Sequence, residues 1–267
     1  ASSYTMTVNV TAVNDAPTAS NNTVTTNEDT DHTFAASEFG FTDVDGDSLD
    51  HVSIETLPSN GTLLLSGSAV SAGDQISAAN ISNLVFRPAA NANGASYDTF
   101  TFTVNDGTTD SASSYTMTVN VTAVNDAPTA SNNTVTTNED TDHTFAASEF
   151  GFTDVDGDSL DHVSIETLPS NGTLLLSGSA VSAGDQISAA NISNLVFRPA
   201  ANANGASYDT FTFTVNDGTT DSASSYTMTV DVTAVNDAPT VVNDTDSVTE
   251  GGTCLLYTSP SPRDIVG

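Results

Sequence analysis

The chain has 267 residues, enough for two ordinary domains, and it carries 3 Lys+Arg against 34 Asp+Glu, a formal net charge of -31. The cations are all arginines, Arg87, Arg198 and Arg263, and a surface this acidic repels nucleic acid and anionic membrane while attracting divalent cations. Hydrophobic residues make up 37%, too many and too regularly placed for a disordered acidic chain, and no run of about 18 apolar residues exists to span a bilayer.

In chain order, residues 1–15 read as the last strand of a repeat lying before them, so the chain reads as a piece of something longer. Val13-Asn14-Asp15-Ala16-Pro17 follows, and the same five letters return at 124–128 and 235–239. Proline lacks an N–H, fixes φ and keeps the preceding residue extended. That suits a stiff joint, so the domains are cut at Asp15/Ala16, Asp126/Ala127 and Asp237/Ala238. Period-two alternation then predicts strands over 22–26, 31–35, 49–57, 62–65, 83–87, 99–104 and 115–122. Asn60-Gly61 signals a tight turn, and 78–82 reads as one helical turn. Seven strands in about 110 residues, with turn signals between them, argue for an all-β fold of the immunoglobulin-like sandwich type.

Residues 112–222 repeat 1–111 at every position, and a third copy begins at Ala223, with Asp231 where Asn9 and Asn120 stand, diverging after Thr240. A period of this length is a domain, not a solenoid unit. The expected organisation is a linear array: 1–15 from a preceding repeat, sandwiches at 16–126 and 127–237, and the start of a following repeat at 238–253. Residues 254–264 resemble the translation of an adaptor used in DNA sequencing, so 254–267 are set aside as a tail foreign to the protein. The single cysteine, Cys254, goes with them, and no disulfide holds the domains.

The segment Phe41-Thr42-Asp43-Val44-Asp45-Gly46-Asp47-Ser48-Leu49-Asp50 recurs unchanged at 152–161. Asp43, Asp45 and Asp47 alternate around Gly46 with no Lys or Arg beside them. Two like charges about 5 Å apart repel by roughly 3 kcal/mol at an effective dielectric of ~20, so the loop needs a counterion. Unneutralised oxygens suit a hard cation, and Ca2+ is the usual one outside cells. In an up-and-down sandwich the loops after the second and sixth predicted strands share one end, where the preceding linker arrives. The loop after the first strand lies at the other end, facing the next linker. The joint at 124–128 should therefore gather Glu28 and Asp29 from one unit, Asn125 and Asp126 from the linker, and Asp154, Asp156, Asp158 and Asp217 from the next. The same logic assigns Asn14, Asp15, Asp43, Asp45, Asp47 and Asp106 to the joint before, and Glu139, Asp140, Asn236 and Asp237 to the joint after.

Asn14-Asp15-Ala16-Pro17, Asn27-Glu28-Asp29-Thr30 and the stretches 41–49, 86–94 and 100–107 resemble the cadherin-like tandem repeats of large bacterial surface adhesins, the VCBS or RTX adhesin repeats. The likeness covers essentially all of each unit. It implies an extracellular location, export by a type I system, and calcium between β-sandwich domains. True cadherins have a longer acidic linker and an extra Asp/Glu motif before their last strands.

Asp43-Val44-Asp45-Gly46-Asp47 also resembles half an EF-hand loop, but Gly46 stands at the fourth position, Ile54 at the twelfth, and no helices flank it. His51 lacks a nucleophile motif and reads as a strand-face histidine. Arg87 either pairs with the neighbour of a carboxylate ligand or caps the acidic end, or is a plain surface arginine. Paired acids can hydrolyse glycosides, but such a site sits in a cleft, not at every joint. The expectation is a non-enzymatic, calcium-stiffened stalk segment of a secreted or surface-anchored adhesin, serving cell adhesion and biofilm. Its partners are neighbouring repeats of the same chain, with cell-surface or matrix glycans or proteins met through other domains, and neither nucleic acid nor membrane insertion is expected. The alternative is a carbohydrate-binding accessory module of a large extracellular polysaccharide-degrading enzyme, a reading weakened by the absence of Trp.

Overall fold

A computed structural model describes residues 1–239 and residue 250. The expected following repeat at 238–253 and the tail at 254–267 lie outside these residues, except at 238, 239 and 250. Each unit is an all-β sandwich, and the two are built alike. The first has nine strands: β1 (Asn22–Asn27), β2 (His32–Thr33), β3 (His51–Ile54), β4 (Thr62–Leu65), β5 (Ser68–Ala69), β6 (Gln75–Ser77), β7 (Leu84–Arg87), β8 (Gly94–Asn105) and β9 (Tyr115–Thr122). Two sheets face each other, ordered β1-β9-β8-β3-β6 and β2-β7-β4-β5.

The seven predicted strands are all present, but their lengths differ. The second shrinks to two residues and the third to four, while the sixth grows to twelve. β5 and β6 were not foreseen; they are two and three residues long, too short to show an alternation. The helical turn is a 3-10 helix, Ala78–Asn83, and a second one spans Ala36–Phe39.

Alternation decides which face is buried. On β8, Phe100, Phe102 and Val104 are fully buried, and on β9 Met117 and Val119 are as well. Phe34 and Phe39 close the sandwich from the other side, with ring centroids 5.6 Å from Phe100 and 4.9 Å from Phe102 respectively. Gly40 ends the helix carrying Phe39 with φ +59°, and a Cβ there would run into Ser20. β1 pairs in parallel with β9, from Asn22 opposite Met117 to Asn27 opposite Thr122. This pairing sends the loop after β1 to the end where β9 leaves the unit.

Residues 1–13 repeat 112–124 letter for letter, yet they make no ladder. Tyr4, Met6, Val8 and Val10 lie exposed, whereas Met117, Val119 and Val121, the copies of the last three, fill the core, and Tyr115, the copy of Tyr4, packs against it. The difference is the partner: a strand requires neighbours for its N–H and C=O groups, and the described residues place none beside this segment.

Candidate functional site

The acidic loop between the second and third strands is folded by its own first residue. Asp43 Oδ1 accepts the N–H groups of Asp45 at 2.9 Å and Asp47 at 3.1 Å, and Gly46 takes φ +85° to complete the turn. Asp43 Oδ2 is left buried with no hydrogen-bond partner. One carboxylate oxygen from each of Asp43, Asp45 and Asp47 lies within 4.8 Å of the others. Asp154, Asp156 and Asp158 repeat the arrangement, including the unpartnered Asp154 Oδ2.

The linker docks on this end of the unit that follows it. Asp15 N–H donates to Asp45 Oδ2 at 2.7 Å, and Asn14 Nδ2 donates to Asp106 Oδ2 at 3.0 Å. Asp106 Oδ1 is already taken by the N–H groups of Thr108 and Thr109, both at 2.7 Å. The Thr109 N–H and then the Asn14 amide hold its carboxyl below the usual range. At the next joint Asp126 N–H donates to Asp156 Oδ2 at 2.7 Å and Asn125 Nδ2 to Asp217 Oδ2 at 2.9 Å. Burial pushes the Asp217 carboxyl up, but Asn125 and the N–H groups of Thr219 and Thr220 outweigh it and hold it low.

At the opposite end of the first unit, Glu28 is buried at 3% exposure. Its N–H donates to the Thr122 carbonyl, and its side chain accepts from Val124 N–H and from Asn93 Nδ2 at 3.1 Å. Asp29 has φ +54° and accepts the Asn91 N–H at 3.1 Å. Glu139 and Asp140 hold Val235, Asn204 and Asn202 in the same way.

The two ends meet at Asp126. Burial raises its carboxyl, and the charges of Asp156, Asp29, Glu28 and Asp154 raise it further. Carboxylates of the first unit, the linker and the second unit therefore lie within electrostatic reach of one another. Two clefts flank the meeting point, one lined by Asn91, Asn125, Asp156 and Asp158, the other by Asn91, Asp126 and Asp154, and Val155 borders both. Val155 is 55% exposed where its copy Val44 is 79% exposed; the cover comes from the first unit. Asn14, Asp15, Asp43, Asp45, Asp47 and Asp106 form the corresponding upper half above the first unit. Asn236 and Asp237 stand at the edge of the described residues, where Asn236 Nδ2 bonds the Asp237 carbonyl at 3.1 Å.

The structure also uses residues the acid pattern does not mark. Asn91 and Asn93 are neutral amides, invisible to a count of charges; the only signal for them is an asparagine-rich stretch before Gly94. Arg87 grips Asp31 with both arms, Nε to Oδ1 at 2.8 Å and Nη2 to Oδ2 at 2.6 Å, at an exposed site where the pair adds little. His51 Nδ1 meets Asp50 Oδ2 at 2.8 Å, and its buried Nε2 makes no hydrogen bond but lies 3.9 Å from Asp110 Oδ1.

The sequence matches the family described as bacterial Ig domain twice, over residues 14–122 and 125–233. Similar solved structures include Drosophila N-cadherin EC1-4, 16% identical with a TM-score of 0.43, covering 84% of this chain and 50% of that one. An endo-fucoidan hydrolase of glycoside hydrolase family 107 is 17% identical with a TM-score of 0.28, covering 83% and 29%. The surface layer protein SbsC, domains 1-6, is 15% identical with a TM-score of 0.24, covering 70% and 20%. The chain thus spans half or less of each of these. No curated protein is significantly similar.

Proposed function

The chain belongs to the bacterial Ig domain family, as two tandem members, and from that premise we propose that it is a calcium-stiffened stalk segment of a secreted or surface-anchored bacterial adhesin. Domains of this family are common in extracellular and surface proteins. In this reading the segment is non-enzymatic and of the VCBS or RTX adhesin type. Its first partners are the neighbouring repeats, and glycans or proteins of other surfaces are met by parts of the adhesin elsewhere.

The observation that carries the reading is the pair of unpartnered oxygens, Asp43 Oδ2 and Asp154 Oδ2, each buried inside a carboxylate trio at the end of a unit where the linker docks. A buried carboxylate oxygen without a donor is costly unless a cation meets it. Calcium takes oxygen ligands at about 2.3–2.6 Å, so oxygens up to about 5 Å apart can share one ion, and the observed 4.8 Å span fits. Asp154, Asp156 and Asp158 would hold the ion from the second unit, with Asp126 from the linker and Asp29 from the first unit beside it. Bound calcium supplies positive charge that cancels the repulsion between carboxylates of two domains. The chain's own part is to prearrange them: Asp154 Oδ1 shapes the loop, and Asp156 receives the linker N–H.

Extracellular calcium modules have Kd of about 10⁻⁴–10⁻³ M, and at roughly 100 Kd of free ion a site adds about 2.7 kcal/mol. The cores do not include these carboxylates. In chelator both units should therefore stay β-folded while the maximum dimension seen by small-angle scattering falls. Asp154→Ala with Asp156→Ala should give the shorter particle even in calcium. Identical scattering in all four conditions would remove the physical basis of the stalk.

A further inference from the structure

Asn91, in the loop between β7 and β8, is a neutral residue inside an acidic joint. With its amide nitrogen turned toward them, it donates to Asp29 Oδ2 at 2.9 Å and to Asp126 Oδ2 at 3.3 Å. The opposite orientation would set the amide oxygen against the same carboxylate oxygens, acceptor on acceptor, so the charges themselves select the donating one. The other linker attachments each favour one unit. Val124 N–H goes to Glu28 of the first, while Asn125 Nδ2 and Asp126 N–H go to Asp217 and Asp156 of the second. Asn91 is the side chain of the first unit that reaches Asp126, an acid held by the second, and it borders both clefts.

We propose that Asn91 is a positioning residue of the joint: its amide ties Asp126 to Asp29 without any ion, so that the ion-free joint keeps a preferred orientation. The proposal rests on the reading of this joint as the place where stiffness is set, but it requires no cation. The repeat supplies an internal comparison. Asn202 has φ +56°, against +54° for Asn91, and its N–H donates to Asp140 Oδ1 at 3.0 Å. Each unit therefore builds the backbone of this loop alone, which sets where the asparagine stands before a linker acid meets it. With the backbone set in this way, only the side-chain rotamer has to be ordered on closing the contact. Removing the amide leaves two carboxylates facing each other with no donor between them, and replacing it by a third carboxylate adds a like charge at the same spot.

The test uses the full chain with Cys254→Ser and spin labels at Thr99→Cys and Thr210→Cys, equivalent exposed positions of the two units. Pulsed electron paramagnetic resonance then reads the distance between units. In chelator, N91A should broaden the distance distribution at least twofold, and N91D should broaden it further. N202A should leave it as in the parent, with thermal melting the same for all. A distribution for N91A that superimposes on the parent in chelator would overturn the proposal, as would equal broadening by N202A. Calcium should narrow N91D again, because a carboxylate can share the ion. Failure of calcium to narrow any variant would count against the cation reading, while the chelator arm still decides the role of Asn91.

Discussion

At the scale of the residue, Asp98 shows how an acid can be spent on structure instead of on a site. It is 5% exposed, and its carboxylate accepts N–H groups from Ser59 at 2.9 Å, Asn60 at 2.7 Å, Gly61 at 2.8 Å and Thr99 at 2.9 Å. Burial pushes the carboxyl up, but these four donors outweigh it and hold it below the ordinary range. A depressed folded value means stabilisation that is complete above the unfolded value of about 3.9 and lost as the pH falls through the folded one. Asp98→Asn removes that titration, so melting temperatures recorded from about pH 7 down to pH 3 should fall less steeply in the variant unit than in the parent. Parallel slopes would show that the cage does not act through charge. At neutral pH, Asp98→Ala should cost about 3 kcal/mol, because buried donors lose a charged acceptor.

At the scale of the element, β8 and β9 form the spine of each unit. β9 lies between a parallel partner, β1, and an antiparallel one, β8, and both bury their alternate residues in one core. Phe102 on β8 meets Phe39 at 4.9 Å and Tyr115 of β9 at 6.0 Å, so it ties two neighbouring strands of one sheet to the 3-10 helix that carries Phe39. Phe102→Ala should destabilise the first unit by about 3–5 kcal/mol. The core of the second unit is a separate cluster with its own copy, Phe213. Calorimetry should therefore split into two transitions, the upper one unmoved. A single shifted transition would mean that the units fold as one, which their separate cores argue against.

At the scale of the whole molecule, the division between units is set by hydrogen bonds in the linker more than by its proline. Asn14 and Asp15 are bonded to Asp106 and Asp45 of the unit that follows them, and Val124 to Glu28 of the unit that precedes it. The cut at Asp15/Ala16 leaves Asp106 and Asp45 without those donors. A fragment of 14–124 should therefore melt above one of 16–126. Two bonds to charged acceptors are worth about 1.5–3 kcal/mol each at most, and about 1 kcal/mol moves the midpoint of a domain this size by roughly 4–8 °C. Equal midpoints would show that the linker contacts contribute nothing to the isolated unit.

Much of this protein is legible in its letters. The long alternating runs of β8 and β9 specify strands and their buried faces, because period two is a local property. The identity of 1–111 with 112–222 makes one sandwich answer for both. The acidic loop is likewise local: Asp43 folds it with N–H groups two and four residues away. β5 and β6 are not legible in the sequence, because strands of two or three residues owe their existence to a neighbour and not to their own pattern. The joint depended on the tertiary structure for the same reason. Asn14 meets Asp106 across 92 positions, and Asn93 meets Glu28 across 65, separations that only strand order can bridge. Asn91 carries no charge to betray it, and residues 1–13 hold the letters of a core strand, but the described residues place no partner strand beside them. The sequence by itself determined the sandwich and the acids at its ends; which of those acids face one another was decided by how the sheets pair.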